Sequence, residues 1–117
     1  MLKYSVITSI YKNIKTKDLI LSLNSLNNQY LRPSEVIVII DGYCCPRNLF
    51  IIKNFLKKNF KNKFKLSFNL KNKGIPFSYN KAISLTSYNF IGISDADDIS
   101  DKYRFYKKIK YLVNNPK

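Results

Sequence analysis

The stretch EVIVIID, residues 35–41, decides the fold of this chain. Its five central residues, 36–40, are all β-branched and apolar, so both faces of a strand built from them must be buried. Strands of this kind lie at the centre of parallel sheets that helices cover on both faces. Gly42 follows directly and ends the run. We therefore predict a buried central strand over residues 35–41 and an α/β protein around it.

The segments on either side of this strand alternate between strand and helix patterns. Predicted strands cover residues 4–10, 35–41, 63–69 and 89–94. Of the predicted helices, the first is capped by Thr16, the second begins at Pro46, the third begins near residue 76, and the fourth is capped by Ser100 or Asp101. The order βαβαβαβα predicts a Rossmann-like parallel sheet with right-handed crossovers and helices on both faces. We expect one domain over residues 1–117, because the chain is short and shows no repeat or linker.

Apolar residues at helical spacing predict which side of each helix faces the core. The predicted core residues are Leu19, Leu23, Leu26 and Tyr30 in the first helix, Leu49, Ile52, Leu56 and Phe60 in the second, Ala82, Ile83 and Leu85 in the third, and Phe105, Ile109 and Leu112 in the fourth. In the third strand, Phe64, Leu66 and Phe68 alternate with polar residues, which predicts one core face. The sequence NNP, residues 114–116, is predicted to end the last helix.

The chain is strongly basic, with 21 Lys and Arg against seven Asp and Glu and a formal net charge of +14. This charge is compatible with an anionic partner, but a compositional bias towards lysine is the preferred explanation. A structural zinc site is not expected, since the chain has no histidine and only the adjacent Cys44 and Cys45. No apolar run is long enough to span a bilayer, and we expect a cytoplasmic protein with reduced thiols.

Polar residues lie at or just after the end of each predicted strand, at the edge of the sheet where ligands bind in α/β proteins. These residues are Thr8 to Tyr11 after the first strand, Asp41 and Gly42 after the second, Asn72 to Gly74 after the third, and Asp95 to Asp98 after the fourth. Because the carboxyl ends of parallel strands meet at one edge, the pattern predicts a binding site there.

Four of the seven acidic residues lie in the run DADDISD, residues 95–101. Closely spaced carboxylates repel one another unless a cation lies among them, and hard oxygen ligands suit Mg²⁺ or Mn²⁺. Such an ion usually completes its shell with substrate phosphates and water, so the run predicts a metal-bridged diphosphate site. A helix N-terminus is the alternative interpretation, and it accounts for Asp101 better than for Asp95 or Asp97.

Four segments in this order and spacing resemble family 2 glycosyltransferases, which have the GT-A fold. They are YSVITSIYKN (4–13), EVIVIIDG (35–42), NKGIPFSYNKAI (72–83) and ISDADDIS (93–100), and the resemblance covers nearly the whole chain. It is strongest to bacterial members that build capsule, lipopolysaccharide or exopolysaccharide. The resemblance implies the nucleotide-sugar-binding half of a GT-A domain.

The resemblance also implies roles for individual residues. Those implied to bind the nucleotide sugar are Thr8, Ser9 and Tyr11 around the base, Asp41 at the base or ribose, Asn72 and Gly74 in the loop after the third strand, Asn80 on the third helix, and Asp95 at the ribose or through water. Asp97 would ligate Mn²⁺ or Mg²⁺ directly, with Asp98 supporting it. The simpler alternatives are a turn carboxylate for Asp41, helix entry for Asn72 to Gly74, and a core residue for Tyr11.

The chain departs from the family pattern in three ways. Ile40 stands where many relatives have an acid, and Tyr79 stands where a basic residue is common before the helix asparagine. The half that holds the acceptor and the catalytic base is expected beyond Lys117, because Asp18 and Glu35 are predicted to lie far from the rim. No catalytic residue is therefore identified, and whether the chain is an enzyme by itself stays open. The implied partners are a nucleotide-diphosphate sugar and, in a completed protein, a saccharide or lipid-linked acceptor.

Two other functions are compatible with parts of the sequence. A basic module could bind nucleic acid without specificity, or associate weakly with an anionic membrane at its inner face, through lysines and aromatic residues. An aspartyl-phosphate phosphatase would use Asp95 as its nucleophile. That motif normally follows the first strand of its fold, whereas here it follows the fourth.

Overall fold

The computed structural model describes residues 2–115, which form four strands and four helices in strict alternation. The elements are β1 (Tyr4–Tyr11), α1 (Thr16–Asn27), β2 (Glu35–Asp41), α2 (Pro46–Asn59), β3 (Phe64–Asn69), α3 (Ile75–Leu85), β4 (Phe90–Ile93) and α4 (Arg104–Asn114). The predicted order is confirmed. Pro116, which was predicted to help end the last helix, lies outside the described residues.

All four strands pair in parallel, in the order β3-β2-β1-β4. Every residue of β2 is buried, which confirms its predicted central place. The register pairs Val6 with Val36 and Tyr11 with Asp41, so β1 and β2 end at the same level. Because the strands run the same way, their carboxyl ends form one rim of the sheet.

Helices cover both faces of the sheet, as predicted. On one face, alternate residues of β2 such as Val38 pack against α1 and α2, and α4 covers β1 beside them through Phe105. On the other face, Ile37 and Ile39 pack against Ala82 of α3. The apolar run of β2 is therefore divided between two cores, which is why it has no polar face.

Gly92 in β4 permits a close approach of α4. A Cβ atom at this position would lie 2.5 Å from a ring carbon of Phe105, which is a steric clash. The aromatic ring therefore fits against the strand only because residue 92 has no side chain.

Several predicted core residues are exposed, and those predictions were wrong. Tyr30 lies past the end of α1 and is 61% exposed, with its ring against Tyr103 and Tyr106. Phe68 is 46% exposed because β3 is an edge strand and the neighbouring core reaches only Phe64 and Leu66. Ile83 and Leu112 are also exposed, since α3 and α4 pack through narrower faces than the spacing suggested.

The predicted starts of two helices also need correction. Thr16 is the first residue of α1 rather than its cap, and its hydroxyl donates to Asn48 Oδ1 at 2.7 Å, which ties α1 to α2. Helix α4 begins at Arg104, later than Ser100 or Asp101. The Asp101 carboxylate instead accepts the N–H of Tyr103 at 3.1 Å in the turn before the helix. Between residues 2 and 115, no helix has the length and apolarity needed to cross a membrane.

Candidate functional site

A pocket of about 450 Å³ opens at the rim, where β1, β2 and β4 end and the loop from β3 to α3 begins. Seven of its ten lining residues have polar side chains, and the other three are a glycine and two apolar residues. Its lining residues are Ser9, Tyr11, Asp41, Asn72, Gly74, Ile75, Tyr79, Asp95, Ala96 and Asp97. The rim position follows from the parallel sheet, as in other α/β proteins.

Seven of the ten residues singled out from the sequence line this pocket: Ser9, Tyr11, Asp41, Asn72, Gly74, Asp95 and Asp97. Three do not. Thr8 is buried on the face of the sheet that α1 and α2 cover, where it pairs with Val38. Asn80 is exposed on α3, and Asp98 is exposed in the turn that follows β4. Tyr11 is partly exposed at the pocket wall, so the core alternative for Tyr11 is wrong.

Asp41 holds the loop between β3 and α3 in place. It is only 3% exposed, and its carboxylate accepts the side-chain N–H of Asn69 at 2.8 Å and the backbone N–H groups of Lys73 and Gly74 at 2.7 and 3.0 Å. Burial alone would raise the pKa of Asp41, but these three donors outweigh it and hold the pKa below its usual value. Asp41 is thus a structural carboxylate in the wall of the pocket. Its partners lie far along the chain, unlike those of a simple turn carboxylate.

Two glycines allow this loop to pass close to the end of β2. Gly42 has a φ of 85°, and a Cβ atom there would lie 3.0 Å from the backbone nitrogen of Asn72. Gly74 has a φ of 90° and precedes α3. Both conformations are unfavourable for residues with side chains. The loop therefore presents its backbone to the pocket in a fixed shape.

Asn69 is a residue that sequence reasoning missed. Its amide nitrogen donates to Asp41 and to the Ser78 hydroxyl, at 2.8 and 3.0 Å, and its oxygen accepts from Lys81 at 3.0 Å. It joins the end of β3 to α3 under the loop. Only its place at the end of β3, in register with Asp41, could have indicated this role.

The turn after β4 presents two carboxylates, Asp95 and Asp97, to the pocket. The Ser94 N–H donates to the Ile7 carbonyl at 3.0 Å, and the Asp98 N–H donates to the Asp95 carbonyl at 3.0 Å. Ala96 is buried in the core beside α1 and fixes the middle of the turn. Asp95 and Asp97, on either side of it, both reach the pocket wall.

Tyr79 is the direct partner of Asp95. Its hydroxyl donates to Asp95 Oδ1 at 2.6 Å. Burial raises the pKa of Tyr79, and the hydrogen bond to the Asp95 carboxylate raises it further, so the phenol stays protonated as a donor. Tyr79, which stands where a basic residue is common in the family, therefore orients the carboxylate of Asp95.

The donor set of the pocket fits a hard divalent cation only with help from a ligand. Within residues 2–115, no three side chains of the metal-binding types lie together in an arrangement that could hold an ion. Asp95 already accepts from Tyr79, whereas the Asp97 carboxylate accepts no hydrogen bond from the described residues. Mg²⁺ and Mn²⁺ commonly bind through one or two carboxylates plus phosphates and water. One free carboxylate beside a polar pocket matches that mode.

Of the two acids predicted to lie far from the rim, Glu35 does so. Glu35 is at the opposite end of β2, where it accepts from the Ser5 hydroxyl and from the N–H and hydroxyl of Ser87. Burial alone would raise the pKa of Glu35, but these donors and Lys65 hold it below its usual value. Asp18 lies in the first turn of α1 and does not line the pocket.

The sequence of this chain is similar to those of known proteins. The family described as Glycosyl transferase family 2 matches residues 5–117. The bifunctional glycosyltransferase pgtA of Dictyostelium discoideum is 36% identical over 104 residues, which cover 84% of this chain and 13% of that protein. The O-antigen biosynthesis glycosyltransferase WbnJ of Escherichia coli is 28% identical over 111 residues, which cover 95% of this chain and 42% of that protein.

Solved structures share the fold. TarS 1-349 of S. aureus, in complex with UDP-GlcNAc, matches with a TM-score of 0.78 and 25% identity, over 98% of this chain and 32% of that one. The mannosyltransferase PcManGT of Pyrobaculum calidifontis, in complex with GDP-Man and Mn²⁺, matches with a TM-score of 0.80 and 18% identity, over 97% of this chain and 33% of that one. The chain thus spans less than half the length of each of these proteins. With the family matched along almost its whole length, this chain belongs to glycosyl transferase family 2.

Proposed function

We propose that the rim pocket binds a nucleotide-diphosphate sugar, with Mn²⁺ or Mg²⁺ between its phosphates and Asp97, as the donor-binding part of a glycosyltransferase for cell-surface polysaccharide. The observation that carries this proposal is the free Asp97 carboxylate, held beside Asp95 in a polar pocket of an otherwise strongly basic chain. A carboxylate with no internal partner, at the rim where ligands bind, is suited to a cation.

The fixed loop supports the same assignment. Asp41 holds Lys73 and Gly74, and Asn72 and Gly74 line the same pocket as Asp95 and Asp97. In the proposed complex, Ser9 and Tyr11 lie at the nucleoside, Asn72 and Gly74 beside it, and Asp95 at the ribose. A bound divalent ion would neutralise the charge that develops on the diphosphate leaving group.

The relatives support the class of ligand and the setting. TarS, which shares the fold, was solved in complex with UDP-GlcNAc, and WbnJ is described as an O-antigen biosynthesis glycosyltransferase. The phosphatase alternative is set aside, because the chain belongs to a glycosyltransferase family and Asp95, its supposed nucleophile, already accepts a hydrogen bond from Tyr79. The three pocket carboxylates are assigned to the loop, to Tyr79 and to the metal, and neither Asp18 nor Glu35 lines the pocket, so no described acid is assigned to proton removal from an acceptor. We therefore propose donor binding without transfer for this chain alone.

Calorimetry with UDP and GDP, in the presence and absence of Mn²⁺ or Mg²⁺, tests the proposal. We expect nucleotide binding that strengthens with metal, and metal binding that is weak without nucleotide, because the phosphates supply the missing ligands. Asp97→Asn should weaken metal-dependent binding by about tenfold or more. The matched control is Asp101→Asn, which changes the same charge in the same run outside the pocket and should bind like the wild type. Equal nucleotide binding with and without metal would remove Asp97 from the site.

A further inference from the structure

The end of β3, the following loop and the start of α3 expose large apolar side chains beside lysines. We call this surface the β3–α3 patch; it comprises Phe68, Leu70, Lys71, Lys73, Phe77 and Lys81. These residues line an open depression of about 450 Å³. Leu70 is fully exposed, and Phe68 and Phe77 are about half exposed. Contiguous apolar surface framed by charged residues is typical of an interaction site.

The exposure of these side chains is built into the fold. The Asp41 carboxylate accepts the N–H groups of Lys73 and Gly74, and Asn69 is hydrogen bonded to Asp41 and Ser78. Leu70 lies between these two anchored points. The backbone is therefore anchored on both sides of Leu70, whose side chain is fully exposed.

The charge of the patch is of one sign. Three of its residues are lysines, and no acidic residue lines the depression. The Lys73 ammonium lies 5.7 Å from the ring centre of Phe77, and Lys81 donates to the Phe68 carbonyl at 3.0 Å. The two ammonium groups thus lie directly beside the aromatic residues of the patch, and lysines next to exposed apolar side chains are typical of an interfacial membrane contact.

We propose that the β3–α3 patch docks on an anionic lipid bilayer, with Leu70, Phe68 and Phe77 entering the headgroup region and the lysines facing lipid phosphates. Interfacial binding scales with buried apolar area together with attraction to anionic lipids, and the patch offers both. A single-stranded nucleic acid is less well matched, because its bases would stack on Phe68 and Phe77 but not on the fully exposed aliphatic Leu70. A second copy of the chain is disfavoured, because Lys65 on the β3 edge and the patch lysines would face their own copies.

The patch adjoins the mouth of the rim pocket. Asn72 and Gly74 line the pocket, and Lys71 and Lys73 alternate with them along the chain and line the patch. Docking would therefore bring the pocket to the bilayer surface, where a lipid-linked acceptor would lie; this last consequence rests on the proposed function. The docking itself does not, and it is measured without nucleotide or metal, so the two proposals can fail separately.

The absence of tryptophan makes the test specific. Leu70→Trp places one fluorophore in the patch, and Phe50→Trp places one at an exposed position on α2 as the control. With phosphatidylcholine vesicles containing phosphatidylglycerol, we expect a blue shift for Leu70→Trp, and none for Phe50→Trp or for vesicles of phosphatidylcholine alone. No shift for Leu70→Trp, or the same shift for both variants, would overturn the proposal.

Vesicle flotation separates the patch from general charge. Lys71→Gln with Lys73→Gln should lower binding to anionic vesicles by about fivefold for each lysine. Lys57→Gln with Lys58→Gln removes the same charge on α2 and should change binding by less than about twofold if the patch is the contact. Equal losses for both pairs would show non-specific attraction and contradict the proposal. So would tighter binding to single-stranded RNA than to vesicles, or a dimer in size-exclusion chromatography that Leu70→Asn disrupts. Circular dichroism checks that each variant is folded.

Discussion

The carboxylates at the two ends of the sheet differ in their hydrogen bonding. At the amino end, Glu35 is 6% exposed and accepts hydrogen bonds from Ser5 and Ser87 at 2.8 to 2.9 Å, with Lys65 nearby. At the carboxyl end, Asp97 is exposed and accepts none from the described residues. The first carboxylate is completed by the protein and stabilises it. The second has no such partner, and under the proposed function it ligates a cation at the end where parallel sheets bind ligands.

Asp41 lies between these extremes. It stands at the carboxyl end of β2 and lines the pocket, yet its oxygens are occupied by Asn69, Lys73 and Gly74. Under the proposed function it supports the ligand by shaping the loop, since it offers no free carboxylate. The comparison therefore predicts that stability and binding respond differently at the three positions.

Asp41→Ala should have the largest effect. It leaves the N–H groups of Lys73 and Gly74 without their acceptor, and we expect a loss of about 3 kcal/mol in the free energy of unfolding, together with weaker nucleotide binding. Urea unfolding followed by circular dichroism measures the first. Asp101→Ala is the control, since its carboxylate accepts one exposed N–H, and it should cost less than about 1 kcal/mol. Unchanged stability in Asp41→Ala would show that the loop does not depend on this carboxylate.

Glu35→Ala should lower the free energy of unfolding by about 2 kcal/mol, because the Ser87 N–H loses its acceptor. Nucleotide binding should stay unchanged, because Glu35 lies at the opposite end of β2 from the pocket. The same urea experiment, with calorimetry of UDP and metal, tests both parts. Asp18→Ala, an acid in α1 outside both regions, should alter neither. A loss of nucleotide affinity in folded Glu35→Ala would break the distinction between the two ends.

The lowered pKa values of Glu35 and Asp41 predict acid sensitivity. As the pH falls, these two carboxylates take up protons in the unfolded chain before they do so in the folded protein. Their contribution to the free energy of unfolding is therefore constant above the ordinary carboxyl pKa of about 4 and is lost as the pH drops below it. Urea midpoints measured from neutral pH into this acid range should show the decline. Glu35→Gln should make it shallower, since one of the two groups no longer titrates. An unchanged slope in Glu35→Gln would mean that this carboxylate is not stabilised by folding.

Tyr79→Phe should have the smallest effect. It removes one hydrogen bond to Asp95, so we expect a change in the free energy of unfolding below about 1 kcal/mol and a two- to fivefold loss, roughly, in metal-dependent nucleotide affinity. Calorimetry and urea unfolding check these values, with Tyr88→Phe as a control outside the pocket. Wild-type affinity in Tyr79→Phe would show that Asp95 needs no orientation.

The sequence predicts most of the sheet and most of the pocket, for physical reasons. The apolar run 36–40 requires a doubly covered strand, and the polar residues after each strand must then meet at one rim. The exposure of Phe68 depends on β3 being an edge strand, which alternation alone does not reveal. The bonds of Asp41 and of Tyr79 join residues that lie 16 to 33 positions apart, so no local pattern could indicate them.

The most direct test of the central claim is paramagnetic broadening by Mn²⁺ in the ¹H–¹⁵N spectrum of the labelled chain with UDP present. We predict that Mn²⁺ broadens the amide signals of residues 95–98 and 72–74 first, while those of Ser5, Glu35 and Ser87 stay sharp. Mg²⁺ in place of Mn²⁺ should shift the same signals without broadening them. Broadening that begins around Glu35, or that spreads evenly over the chain, would contradict the assignment of the free carboxylate at the rim as the ligand site.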